Sequence, residues 1–213
     1  MSPRLTQPER VELSSRRLLL AAAELIVEKG WEATTAAEIG RRAGYSRAMV
    51  HARYGSKDAI LEAFQQTYVV RLNPDPEPGA TGLQQVLAHF DRIDEIQAED
   101  SALMRAMFVS AFEAVKTTSP LRAAVRAQLR GAAVKIEAGL RAGVRDGSIR
   151  PDVDIVEARQ DITGSVFGIA YHWVVLPEEF VLPDELNHVR SRIISQYGAQ
   201  RRQKPVRRVP DLR

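Results

Sequence analysis

Residues 35–57 read TAAEIGRRAGYSRAMVHARYGSK. The opening Thr-Ala-Ala-Glu has the form of a capping box: the Thr35 hydroxyl accepts from one free N–H at a helix start, and Glu38 reaches back to another. It begins a short helix ending near Ala43, with Gly44 as the turn residue. Ser46 caps a second helix that runs to about Tyr54. Two short helices joined by a tight glycine turn describe a helix-turn-helix. Ile39 and Ala43 share a face of the first, Val50 and Tyr54 a face of the second, and Gly40 lets the two axes approach. Packing those groups leaves Arg47, Ala48, Met49, His51 and Ala52 facing out, an arrangement suited to a DNA major groove.

On either side of this stretch the helical period dominates. Leu18, Ala22, Leu25 and Ile26 form the stripe of a helix from Val11 to Lys29 that Gly30 closes. Ser56 caps another, in which Ile60, Leu61 and Phe64 recur at helical spacing. NPDPEPGATG (73–82) holds three prolines and two glycines, so it is a loop, and the composition shifts there. Amphipathic helices follow at 83–97, 101–116 and 121–145, with Pro120 where a first-turn proline is tolerated. RDGSIRPDVD (145–154) connects to a longer apolar helix, 155–175, and a last helix runs from Pro183 or Asp184 to about Tyr197. The fold class is therefore all-α. Residues 1–57 form an N-terminal three-helix head. A fourth helix, about 57–72, joins it to a helical body counted as 58–197, and 198–213 is expected to be a basic, disordered tail.

Charge follows the same division. The net charge of +3 resolves into +4 over 1–57, −6 over 58–197 and +5 over 198–213, which points to a polyanion partner for the ends. The chain has no cysteine, so disulfides and cysteine-ligated metals are excluded. No apolar run approaches the ~18 residues of a membrane span, and the first residues lack an apolar signal core; a cytoplasmic location is expected. Phosphate loops, H-E-x-x-H and G-x-S-x-G are missing, and no spacing recommends a catalytic set. The chain is read as not an enzyme, with no cofactor and no metal.

Residues 16–61, with the Ala pair of the first helix, G-W-x-A-T-T, E-I-G-x-x-A-G and Y-G-S-K-D, resemble the DNA-binding domain of the TetR family of bacterial transcriptional repressors. The resemblance implies a homodimer on a pseudo-palindromic double-stranded operator, released by a small-molecule effector. It implies that Thr34 or Thr35 meets a phosphate, that Arg47, Ala48 and Met49 face base edges, and that Lys57 holds a phosphate. Tyr45 and Ser46 join the DNA-binding set, although Tyr45 and Tyr54 read by themselves as core. His51 stands where the family usually has a phosphate-binding tyrosine, and Arg53 offers a substitute phosphate contact.

For the body, the resemblance implies a mostly apolar effector pocket and a dimer seam made by the last two helices. By itself the Met- and Phe-rich stripe of 101–116 reads more often as plain core than as a ligand box, although Met adapts to varied apolar shapes. Candidate pocket residues are His89, Phe90, Met104, Met107, Phe108, Phe112, Gln128 and Trp173, with Glu113 as a further polar group. Gly164 and Gly168 share one helix face, where glycine costs ~1 kcal/mol relative to alanine unless another helix approaches closely. With Tyr171, Leu186, Val189, Ile193, Ile194 and Tyr197 they make the expected seam. A constitutive dimeric DNA-binding protein without effector response is the alternative. The tail's Arg201, Arg202, Lys204, Arg207 and Arg208 are either non-specific DNA contacts or a solvated end.

Overall fold

The computed structural model describes residues 6–199; of the tail expected over 198–213, only Gly198 and Ala199 are described, and its arginines lie outside the described residues. Among these are nine α-helices: α1 Gln7–Lys29, α2 Ala36–Arg42, α3 Arg47–Tyr54, α4 Lys57–Thr67, α5 Gly82–Glu99, α6 Ser101–Glu113, α7 Arg122–Asp146, α8 Ile155–Val175 and α9 Leu182–Tyr197. A 3-10 turn, Val69–Leu72, extends α4. The described residues contain no strand beyond a single antiparallel bridge, Ile149 to Gly198. Among the described residues no helix is long and apolar enough to cross a membrane.

Helix starts follow side-chain chemistry. Capping boxes open α1 at Thr6 and Glu9, α2 at Thr35 and Glu38, and α5 at Thr81 and Gln84. The first lies upstream of the apolar stripe, so α1 begins four residues before Val11, where that stripe would start it. α6 stops at Glu113 instead of running to Lys116. There the Arg122 guanidinium caps it, donating to the carbonyls of Ala114 and Val115 at 3.3 and 3.0 Å. Pro120 precedes the first turn of α7 by two residues rather than occupying it.

α2 and α3 cross beneath α1, and α4 runs alongside α1 toward the body. α1 also packs along α6, so head and body share one apolar core, with Leu18, Ile26, Phe64, Phe90, Met104, Met107 and Leu140 all fully buried. A buried hydrogen bond from Gln65 Nε2 to Ser110 Oγ (3.0 Å) ties α4 to α6. α5 meets α7 at Gly82, Gly139 and Gly143. A Cβ on Gly82 would lie 1.9 Å from the Gly143 nitrogen, which explains glycine at this crossing. The first amides of α5 donate to Asp146 Oδ2 (2.7 Å) and Ser148 Oγ (3.1 Å). The proline-rich loop thus delivers α5 to a fixed berth.

Candidate nucleic-acid interface and effector cavity

The turn between α2 and α3 is built from backbone needs. Gly44 has φ of +79°, and the Tyr45 amide donates to the Gly40 carbonyl at 2.7 Å. A Cβ on Gly40 would lie 2.9 Å from the Ser46 carbonyl oxygen, so only glycine permits this crossing without a shift. Ser46 then caps α3 by accepting from the Met49 amide. Val50 is completely buried, Tyr54 donates from its hydroxyl to the Ser15 carbonyl, and Tyr45 is half-buried against the core. Ser46, Arg47, Ala48 and His51 are left exposed, with Met49 half-buried at their edge. α3 therefore presents its N-terminal face to solvent, as a groove-reading helix must.

Two exposed groups on this face touch. His51 Nδ1 lies 2.9 Å from the Gly55 carbonyl, which can only accept, so that nitrogen carries a proton. Nε2 then accepts from Arg47 Nε at 3.4 Å. His51 leans on Arg47 rather than standing free as a tyrosine hydroxyl would.

Three of the phosphate expectations change in detail. Thr34 is buried and its hydroxyl donates to the Gly30 carbonyl at 2.9 Å, so its side chain is withdrawn; exposed Thr35, at the start of α2, is left for an anion. Arg53 points back to α1, where Nη2 donates to Ser14 Oγ at 2.9 Å, so its guanidinium is turned inward rather than held out toward a phosphate. Lys57 donates to the carbonyls of Trp31 and Thr34, which leaves one of its three protons for a phosphate. Glu38 is held down to a pKa of about 2, chiefly by Lys29 and then by the Thr35 hydroxyl, so the cap of α2 stays ionised.

In the body, a cavity of about 350 Å³ opens between the 3-10 turn, α5, α6, α7 and α8. His89, Met107, Phe108 and Gln128 line it. Phe90 and Met104, buried like Met107, do not border it. Trp173 stands behind Phe108, edge to face at 6.3 Å. Phe112 lines a second, more open hollow of about 530 Å³. Glu113 is outside both cavities and pairs with Lys116. The larger share of the wall comes from α7 and α8, through Val125, Leu129, Ala132, Ile136, Thr163 and Phe167. The spacing of the α7 residues is visible in the sequence, but nothing there marks that stripe as bordering space rather than another helix.

The polar groups of this wall are tied to the strap between α4 and α5. Gln128 Nε2 donates to the Val69 carbonyl (2.9 Å), and Asn73 Nδ2 donates to the Gln128 carbonyl (3.0 Å). Lys135 holds the Asn73 and Pro74 carbonyls and Asp75. Burial lowers the His89 pKa below its ordinary 6.5, with the Leu72 carbonyl opposing and Lys135 reinforcing the shift.

The seam residues divide. Gly164, Gly168, Tyr171 and Ile194 are exposed, and a Cβ on either glycine would meet nothing within 4 Å. Gly164 also borders the cavity. Val189 is half-buried. Leu186, Ile193 and Tyr197 are buried inside their own chain, where they close α9 onto α5 and α8, so they offer a partner nothing. The Tyr197 hydroxyl donates to Asp161 Oδ2 at 2.9 Å; burial, and then this carboxylate, push its pKa up to about 12.

The model of bacterial regulatory proteins of the tetR family matches residues 18–64. A helix-turn-helix-type transcriptional regulator of Mycobacterium tuberculosis (strain ATCC 25618 / H37Rv) is 31% identical over 139 residues, covering 63% of this chain and 71% of the relative. The fatty acid metabolism regulator protein of Bacillus subtilis (strain 168) is 22% identical over 183 residues, covering 84% of this chain and 93% of the relative. Among solved structures, the SmeT–triclosan complex superposes with a TM-score of 0.73 at 22% identity, over 94% of this chain and 99% of that one. FadR from Bacillus subtilis in complex with stearoyl-CoA gives 0.68 at 22%, over 84% and 97%. At these identities the likeness to the solved structures is one of fold.

Proposed function

The chain belongs to the TetR family of bacterial regulatory proteins and is a DNA-binding transcriptional regulator; from that membership we propose that it is a dimeric repressor released from a pseudo-palindromic operator by a small, mostly apolar effector. One observation carries the effector part. α4 joins the wall of the body's cavity to the reading head: Gln128 holds Val69 just beyond its end, and Lys57 at its start is hydrogen-bonded to the head. A molecule entering the cavity competes with the packing around Val69 and Leu72, and any shift of α4 moves α3 with it.

Arg47, Ala48 and Met49 read base edges, while Thr35 and Lys57 hold phosphates. Two copies join through the exposed face of α8 and the neighbouring Ile194, setting their α3 helices about 34–36 Å apart, or a further turn, for successive grooves on one side of a duplex. The effector must bind the DNA-incompatible arrangement more tightly, since equal affinity shifts nothing. A constitutive DNA-binding protein needs no cavity, so the roughly 350 Å³ of apolar space favours the responsive reading. Selection of operator from random duplex DNA by the purified chain, followed by a screen of apolar compounds for release, tests it. Selected sequences with no two-fold relation would remove the dimeric reading.

A further inference from the structure

The inner cavity and the outer hollow adjoin: Ala111, Val125, Leu129 and Phe167 line both. No acidic side chain lines either one, and the charged groups on their walls are Arg122 and Arg126, both at the outer hollow. Arg122 is engaged in capping α6. Arg126 is exposed and has neither an ion pair nor a side-chain hydrogen bond among the described residues. Arg130 lies one turn further along α7, and from Arg122 to Lys135 this helix carries four cations and no acid. Lys135 is paired with Asp75, so the charge left over at the outer hollow is that of Arg126, and the space is mostly apolar inside and opens beside this guanidinium.

We propose that the effector is an anionic amphiphile: an apolar carbon skeleton fills the inner cavity, passes Leu129 and Phe167, and ends in a carboxylate held by Arg126. This rests on the effector reading of the cavity and adds the charge of the ligand. A guanidinium meets a carboxylate in a two-pronged, charge-assisted hydrogen bond that a hydroxyl only partly replaces and an ammonium reverses into repulsion. A neutral ligand would fill the inner cavity and leave Arg126 unused.

The test is calorimetric titration of the full chain with dodecanoate and dodecylammonium below their micelle concentrations and dodecanol below its solubility limit. Dodecanoate is expected to bind about tenfold tighter than dodecanol, with dodecylammonium weakest. R126A should erase the preference for the carboxylate, weakening dodecanoate about tenfold and dodecanol far less, and R126K should restore part of it. Arg126 is exposed, so these variants keep the wild-type melting curve. Equal binding of dodecanoate and dodecanol, or a preference that survives R126A, overturns the proposal and leaves the effector reading standing. Failure of dodecanoate to bind overturns the proposal as well, while the effector reading stands or falls with the compound screen.

Discussion

The Lys57 ammonium lies 4.8 Å from the centroid of the Trp31 ring and donates to the Trp31 and Thr34 carbonyls at 2.9 and 3.0 Å. Trp31 in turn donates from Nε1 to Asp58 Oδ1 at 3.0 Å, so α4 is pinned at its first turn to the segment that leads into α2. A lysine at a DNA surface is usually read as a phosphate contact alone. Here it is first a strut between the head and the helix that couples it to the body.

Lys57→Ala should therefore have two effects. Loss of two hydrogen bonds from a charged group and of the ring contact lowers stability by about 1–2 kcal/mol. Loss of the remaining donor lowers operator affinity and reduces the slope of log K against log salt by about one. Urea unfolding and operator titration at several salt concentrations read the two separately. An unchanged melting curve would remove the strut, and an unchanged salt slope the phosphate.

Arg47 is the side chain whose removal should blur sequence reading. Arg47→Ala is expected to cost about 1–3 kcal/mol of discrimination between operator and altered operator, with a smaller effect on random DNA. Because His51 accepts from Arg47 Nε, His51→Ala frees the guanidinium to wander and should lose part of the same discrimination. Competition titrations with single-base operator variants would show this. A His51→Ala protein that lost affinity uniformly, on all DNA alike, would make His51 a phosphate ligand instead.

How far these features were legible follows from the range of the interactions involved. The turn between α2 and α3 could be read because its determinants are local: Thr35, Glu38, Gly44 and Ser46 act within a few residues of themselves. Lys57 as a strut and Arg53 as an inward group could not, since their partners, Trp31, Thr34 and Ser14, lie 23 to 39 residues away. In the body, Phe90 and Met104 carry the same apolar chemistry as Met107 and Phe108. Only the packing of α5 against α6 and α7 decides which pair faces the void. The same holds for α9, where Leu186 and Ile193 were consumed by the chain's own core, leaving Ile194 outward.

His89 gives stability a dependence on pH. Burial depresses its pKa below 6.5 in the folded chain, so as pH falls through 6.5 the unfolded chain takes up a proton first. The contribution is fully present above that value and is lost as pH descends toward the folded-state pKa. Urea midpoints at pH 7.5 and 5.5 should fall more steeply for the wild type than for His89→Gln, which keeps a polar group there without the charge. Parallel slopes for the two proteins would place His89 outside the apolar surroundings described.

Gly168 separates a dimer seam from a bare helix face. Within the chain an added Cβ meets nothing within 4 Å, so Gly168→Ala should stabilise an isolated chain by about 0.5–1 kcal/mol through helix propensity alone. If a second copy packs against this face, the close approach that glycine permits is lost with a large side chain, and Gly168→Trp should shift sedimentation toward monomer at micromolar concentration. Gly164 is the poorer choice for this test because it also borders the cavity, and a bulky group there would confuse effector binding with self-association. Tyr171 and Val175, both more than half exposed, continue the same stripe one and two turns along α8. Two apolar side chains left in water beside two glycines are a poor solvent face and a reasonable seam. A Gly168→Trp protein with the wild-type sedimentation profile would show that the copies meet elsewhere, and the half-site spacing would then have to be set by another face.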